Sequence, residues 1–237
     1  MKRFTLFLLL AIMSVPFMQS CNTTVEKAEQ VALATIHPAA LTAAGFYGEL
    51  DNGDKIYPGA MRVKYEPKLE PIRAIIYFKE LDEPVSGFEY NADIFGITEL
   101  TTKNILTVKS AEADTLKDGI EIVNAYIGGG YINIEFNAYI DAYNPNQHIT
   151  IDLQDFQMGN TPENGAYYPL TLGFKCYPKL ESGTGYLVSS VACFRIGDEH
   201  MLENIGCTGY ELKYRGLIDN ETENLQSVLV KPEANKQ

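Results

Sequence analysis

Apolar and polar residues alternate along this chain with a period of two, and that pattern leaves it few folds to choose from. In Tyr131-Ile132-Asn133-Ile134-Glu135-Phe136, the side chains of Ile132, Ile134 and Phe136 fall on one side and the polar ones on the other. An extended backbone points successive side chains to opposite faces, so this is the pattern of a half-buried strand. His148-Ile149-Thr150-Ile151-Asp152-Leu153 repeats it, as do Tyr210–Tyr214 and Ser227–Val230. Helical spacing is scarce, and only Ala111–Lys117 suggests a helical turn. Turn residues punctuate the strands. Asp51-Asn52-Gly53-Asp54 joins Gly45–Leu50 to Lys55–Tyr57, and Asn-Gly is a pair suited to tight hairpins. Asn144-Pro145-Asn146 and Glu181–Gly185 mark further turns. The chain is therefore expected to be all-β, with strands spaced for barrels or sandwiches.

The small, acidic, strand-poor run Ser110-Ala111-Glu112-Ala113-Asp114 is the expected boundary between two units. Residues 30–110 have the size of a small five-stranded barrel, and 111–237 have room for a seven- or eight-stranded sandwich.

The N-terminus reads as an export signal. Lys2 and Arg3 precede an apolar run, Phe4–Val15, which is shorter than the roughly 20 residues a membrane-spanning helix needs. Met18-Gln19-Ser20-Cys21 resembles a lipobox, so residues 1–20 are expected to be removed and Cys21 to be lipidated. Acyl chains at about 0.8 kcal/mol per buried methylene would hold the product on a membrane. Residues 21–29 form the expected polar tether, with disorder reaching Gln30. Asn22 after the cysteine, in place of a retention aspartate, favours the outer membrane.

Loss of 1–20 removes two cations and no acid, which carries the formal charge from −12 to −14. Such a body repels phosphate backbones and anionic headgroups, which argues against nucleic-acid partners and leaves the lipid as the membrane contact. With Cys21 lipidated, Cys176, Cys193 and Cys207 remain. A Tyr177–Tyr186 hairpin would set Cys176 across from Cys193. Paired strands flanking Gly197–Gly206 would set Cys193 against Cys207. Three buried free thiols are the third possibility.

No catalytic constellation stands out. Gly128-Gly129-Gly130 lacks the following helix of a phosphate cradle and reads as a turn, bulge or close backbone approach. His37, His148 and His200 are isolated, without metal-ligand spacing, and no calcium-loop pattern appears, so no metal or cofactor is expected. Cys193 with His200 would make a nucleophile and base, but Val191-Ala192-Cys193-Phe194 reads as a buried strand. A non-enzymatic role is the expectation. Tyrosine is abundant, at fifteen residues. Tyr143 in a turn-rich loop, and Tyr167 and Tyr168 after Asn164-Gly165, are the candidate ligand-binding residues, since exposed rings stack on sugars or anchor proteins.

The run Asn124-Ala125-Tyr126-Ile127-Gly128-Gly129-Gly130-Tyr131 through Phe136 resembles the signature of NigD-like proteins, lipoproteins of the Bacteroidota. The hairpin Phe46–Asp54 and Asn104-Ile105-Leu106-Thr107 agree with it. The resemblance implies an N-terminal OB-like barrel followed by a C-terminal β-sandwich, and a role in bacteriocin immunity. Relatives often place a tryptophan beside the triple glycine; here Tyr126 stands in that neighbourhood. The partner would be a protein or, alternatively, a glycan held by the loop tyrosines.

Overall fold

The alternating segments fold as strands throughout a computed structural model that describes residues 27–108, 118–141, 144, 146–156, 166–178, 185–217 and 225–232. Cys21, Tyr143 and the expected boundary at 110–114 lie outside the described residues. So do the suggested helical turn at 111–117 and most of the turn at 181–185.

Five strands close the first unit: β1 (Glu29–Pro38), β2 (Phe46–Leu50), β3 (Lys55–Met61), β4 (Ile72–Glu80) and β5 (Tyr90–Glu99). Their order is β1-β2-β3-β5-β4, with β4 returning to β1, and β3 runs parallel to β5. Closure leaves no open sheet edge. Inward positions are apolar: Ile36, Phe46, Ile56, Ile76, Phe78 and Ile94 are fully or almost fully buried. The β2–β3 turn is set by Gly53 at φ 89°, with Gly53 N–H donating to Leu50 O at 2.9 Å. Order starts earlier than expected at the N-terminus. Lys27 Nζ pairs with Glu80 Oε1 at 2.9 Å, and Glu29 already faces Lys79 in the β1–β4 ladder. The tether expected through residue 29 is therefore partly strand.

The second unit is a sandwich. One sheet runs β14-β13-β11-β10-β7 and the other β6-β12-β9-β8. The seven later strands are β8 (Glu121–Gly128), β9 (Tyr131–Ile140), β10 (His148–Phe156), β11 (Tyr167–Tyr177), β12 (Tyr186–Arg195), β13 (Gly209–Arg215) and β14 (Leu225–Val230). Ile132, Ile134 and Phe136 face the core, as their alternation dictates.

Two short strands correct the boundary. β6 (Thr101–Asn104) pairs with β12 and β7 (Leu106–Val108) pairs with β10, both in parallel. The chain passes from one sheet to the other at Ile105, which is buried in the sandwich core. The sandwich thus begins at Thr101 rather than near residue 111, because these residues pair forward and not back into the barrel.

The strands that were to carry disulfides also differ from expectation. β11 and β12 lie in different sheets, as do β12 and β13. Their connections are too long for tight hairpins and cross from one sheet to the other. Cys176, Cys193 and Cys207 are free, so neither bridge forms.

Candidate binding surface on the barrel

Outward side chains to either side of β1 form two patches, one reaching to β4 and the β2–β3 turn and the other across β2 and β3, and the sandwich covers only the first. In the covered row, Arg73 and Thr35 face each other in the β4–β1 ladder and are 0% and 3% exposed. Arg73 Nη1 donates to Thr35 Oγ1 at 3.0 Å. Its Nη2 lies 2.7 Å from Asp51 Oδ1, an ion-pair contact without hydrogen-bond alignment. The guanidinium also lies over the Tyr131 ring, 5.5 Å from its centroid. Arg195 approaches the same ring at 5.9 Å and donates from Nη2 to Pro71 O at 2.8 Å.

The triple glycine makes this seal possible. Gly129 and Gly130 turn β8 into β9 with φ of 59° and 81°, the left-handed pair that a tight hairpin requires. A Cβ on Gly129 would stand 2.5 Å from Arg73 Nη1 and 2.7 Å from Asp51 Oδ1, and one on Gly128 would stand 2.5 Å from Asp51 Oδ2. The run is thus both a turn and a close backbone approach, as its sequence suggests, and what it approaches is an ion pair of the barrel.

The uncovered row is aromatic. His37 pairs with Tyr47 across β1 and β2, and their rings stack at 4.9 Å with an interplanar angle of 11°. Phe88, from the β4–β5 connection, sets its ring 6.0 Å from Tyr47 and 5.1 Å from Tyr57 of β3, both edge-on. Lys55 Nζ is 5.8 Å from the Tyr47 centroid. Glu49 Oε2 lies 3.5 Å from His37 Nε2, and Glu89 Oε2 accepts from the Lys55 backbone N–H at 2.6 Å. All four rings are partly buried. Partial burial lowers the His37 pKa below its ordinary 6.5, with Glu49 opposing and Lys55 assisting. His37 and Tyr47 lie face to face and Phe88 meets Tyr47 and Tyr57 edge-on, so the four rings pack against one another as a single aromatic cluster.

Of the tyrosines singled out in the sequence, Tyr167 and Tyr168 lie elsewhere. Tyr167 and Tyr168 are neighbours on β11, so they point to opposite faces of the sheet. Tyr168 packs against the sandwich core and donates to Asp155 Oδ2 at 3.0 Å, and burial together with that carboxylate pushes its hydroxyl up to about 12. Tyr167 sits against Gly209 with Lys231 Nζ over its ring at 5.5 Å. The two form no common platform. Nor does the structure join Cys193 to His200. His200 is 1% exposed, with Nε2 3.1 Å from Asp155 Oδ2. Cys193 is fully buried on the far side of its sheet from the sandwich core, beside Arg73, and burial pushes its thiol up to about 11. Among the described residues no group of three or more His, Cys, Asp or Glu side chains is placed to hold a metal.

A closed barrel of this strand order, sealed through one wall to a β-sandwich, defines a two-unit all-β protein of OB type. Residues 33–100 match the family described as the NigD-like N-terminal OB domain, so the barrel is similar to that domain and the resemblance read from the sequence holds there. Among solved structures, a Bacteroides vulgatus protein of unknown function is similar at 20% identity and TM-score 0.69, covering 88% of this chain and 93% of that one. A protein of Parabacteroides distasonis, provisionally called toxin-related, is similar at 22% identity and TM-score 0.66, covering 88% and 96%. A NigD-like immunity protein of Bacteroides caccae is similar at 16% identity and TM-score 0.57, covering 84% and 91%. At these identities the likeness shows the shared fold. No curated protein matches the chain.

Proposed function

We propose that this chain is a lipid-anchored outer-membrane protein that acts as a non-enzymatic interaction module, protecting its cell against a secreted toxin. The NigD-like barrel carries this reading, together with where that barrel starts. β1 opens eight residues after Cys21, at the Lys79 end of the β1–β4 ladder, whereas the sandwich seals against the Arg73 end. A lipid on Cys21 would therefore leave the body standing barrel-first on the membrane, with the sandwich outward. The immunity role rests on the family name and on the Bacteroides caccae neighbour. The burial of Cys193 and its separation from His200 support a role without catalysis, and no described helix is long and apolar enough to cross a membrane.

Two measurements test this. Labelled palmitate should enter the chain in its native host and be lost in Cys21→Ser. Deleting the gene should raise sensitivity to at least one toxin secreted by neighbouring strains. Absence of label would remove the anchor, and unchanged sensitivity to all of them would remove the immunity role.

A further inference from the structure

We infer that the chain pairs with a second copy of itself along β14, edge to edge and antiparallel about a two-fold axis at Ser227, so that one sandwich sheet continues from copy to copy. This goes beyond the anchored-module reading and does not depend on the anchor.

Three observations carry it. The first is which edges of the sandwich are protected. An edge strand presents unpaired N–H and C=O groups to any other strand, and proteins blunt such edges by shortness, charge, bulges or cover. β6 and β7 are only four and three residues long, and Lys103 Nζ of β6 reaches across to Ile151 O at 2.9 Å. β8 is bulged between Ile122 and Asn124 and bridged near both ends, from Ile120 to Gly216 and from Ile127 to Pro232. β14 has none of these devices. It is six residues long without a charge, and among the described residues its one ladder is with β13. Beyond Val230 the chain leaves the edge to bridge β8 at Pro232, so the open stretch is Leu225 to Leu229, with Ser227 at its centre.

The second is a pattern that complements itself. Tyr210, Leu212 and Tyr214 of β13 face the core, so Glu211, Lys213 and Arg215 face outward with their ladder partners Leu229, Ser227 and Leu225. Leu225 and Leu229 are 70% and 54% exposed. Pairing about Ser227 sets Leu225 of each copy opposite Leu229 of the other and brings the two serines together. A centre at Gln226 would set leucine against serine, and a slip of half that step would turn the second copy over.

The third is charge. Across the joined sheet the outer rungs read Arg215 and Leu225, then Leu229 and Glu211 of the second copy. Each leucine pair is flanked by opposite charges whose stems can lie over it. The middle rung sets Lys213 of the two copies roughly 14 Å apart at about 4.8 Å per strand, beyond a Debye length of about 8 Å. Each Lys213 Nζ also lies 3.7 Å from its own Glu211 Oε2. Bodies of formal charge −12 repel one another, and an uncharged strand is where that repulsion is least.

Five residues a side are few beside the roughly 20 of a stable complex, so the dimer is weak in dilute solution and a covalent trap reads it. The full chain carrying Cys207→Ser and Ser227→Cys is oxidised with copper phenanthroline and run on a non-reducing gel. Opposed residues sit about 5 Å apart at Cβ, close to disulfide reach. We expect a covalent dimer at least tenfold faster than from Ser189→Cys, an exposed position on the other sheet. Leu225→Cys alone should lag in the same way, whereas mixed Leu225→Cys and Leu229→Cys chains should join as fast as Ser227→Cys. Leu229→Lys added to Ser227→Cys should slow the trap tenfold while melting like its parent. A Ser227→Cys rate no faster than that of Ser189→Cys, Leu225→Cys alone as fast as Ser227→Cys, or trapping indifferent to Leu229→Lys would each overturn the proposal.

Discussion

The covered and open rows of the barrel wall meet along β1, yet their chemistry is opposite. Under the sandwich, Arg73 is wholly buried and held by Asp51, Thr35 and the Tyr131 ring. Two residues beyond Thr35 along β1, His37 stacks on Tyr47 in partial exposure. Burial of a charge is tolerated only with a partner in place, so the covered row is fixed by mutual dependence among its members. The open row has no such constraint and can lose a ring without stranding a charge.

That contrast predicts unequal consequences. The largest is chemical: Cys193 lies on the sandwich side of the covered row, with its thiol pushed up to about 11 and no exposure. Alkylation at pH 8 should modify the partly exposed Cys207 first and Cys193 roughly a hundredfold more slowly, since the buried thiol reacts only when the seal opens. Equal rates would mean that the two units part freely. Next comes Asp51→Asn, which leaves the Arg73 guanidinium buried without its counter-charge and should cost about 3–5 kcal/mol in urea unfolding. Third, Gly129→Ala combines left-handed strain with a clash against Arg73, so it should destabilise by about 2 kcal/mol or more, against about 1 kcal/mol for Gly130→Ala, whose Cβ would meet nothing within 4 Å. Similar losses at both glycines would deny the close approach. In the open row, Tyr57→Ala should cost under about 1 kcal/mol.

The smallest effect is a pH dependence. His37 has a folded pKa below 6.5, so the unfolded chain binds its proton more readily. Its contribution is fully present above pH 6.5 and fades as pH falls through the lowered folded value. His37→Gln should therefore reduce the loss of stability between pH 7 and pH 5; an unchanged or steeper loss would show that the ring is not held in its neutral form.

Much of the fold is legible because β9, β10, β13 and β14 announce themselves by alternation. The seam is not, because β6 is wholly polar and β6 and β7 are four and three residues long, too short for a period of two to register. Arg73 offers a signal that could have been used. A lone cation in the apolar run Ile72-Arg73-Ala74-Ile75-Ile76 must either reach solvent or find a partner, and here it found one. The aromatic row is harder to foresee, since His37, Tyr47, Tyr57 and Phe88 are distant in sequence and only strand register brings them together. Tyr167 and Tyr168 show the converse, because adjacency along a strand separates side chains.

The handover at Ile105 also bears on how such proteins can be divided. One residue separates the strand given to each sheet of the sandwich, so a break between Thr101 and residue 111 cuts or removes an edge strand of one sheet or both. A fragment starting at residue 111 would expose the backbone of β10 and β12 as templates for foreign strands, inviting dimers or aggregates. Gene fusion or domain shuffling in this architecture should therefore keep residues 101–108 with the C-terminal half.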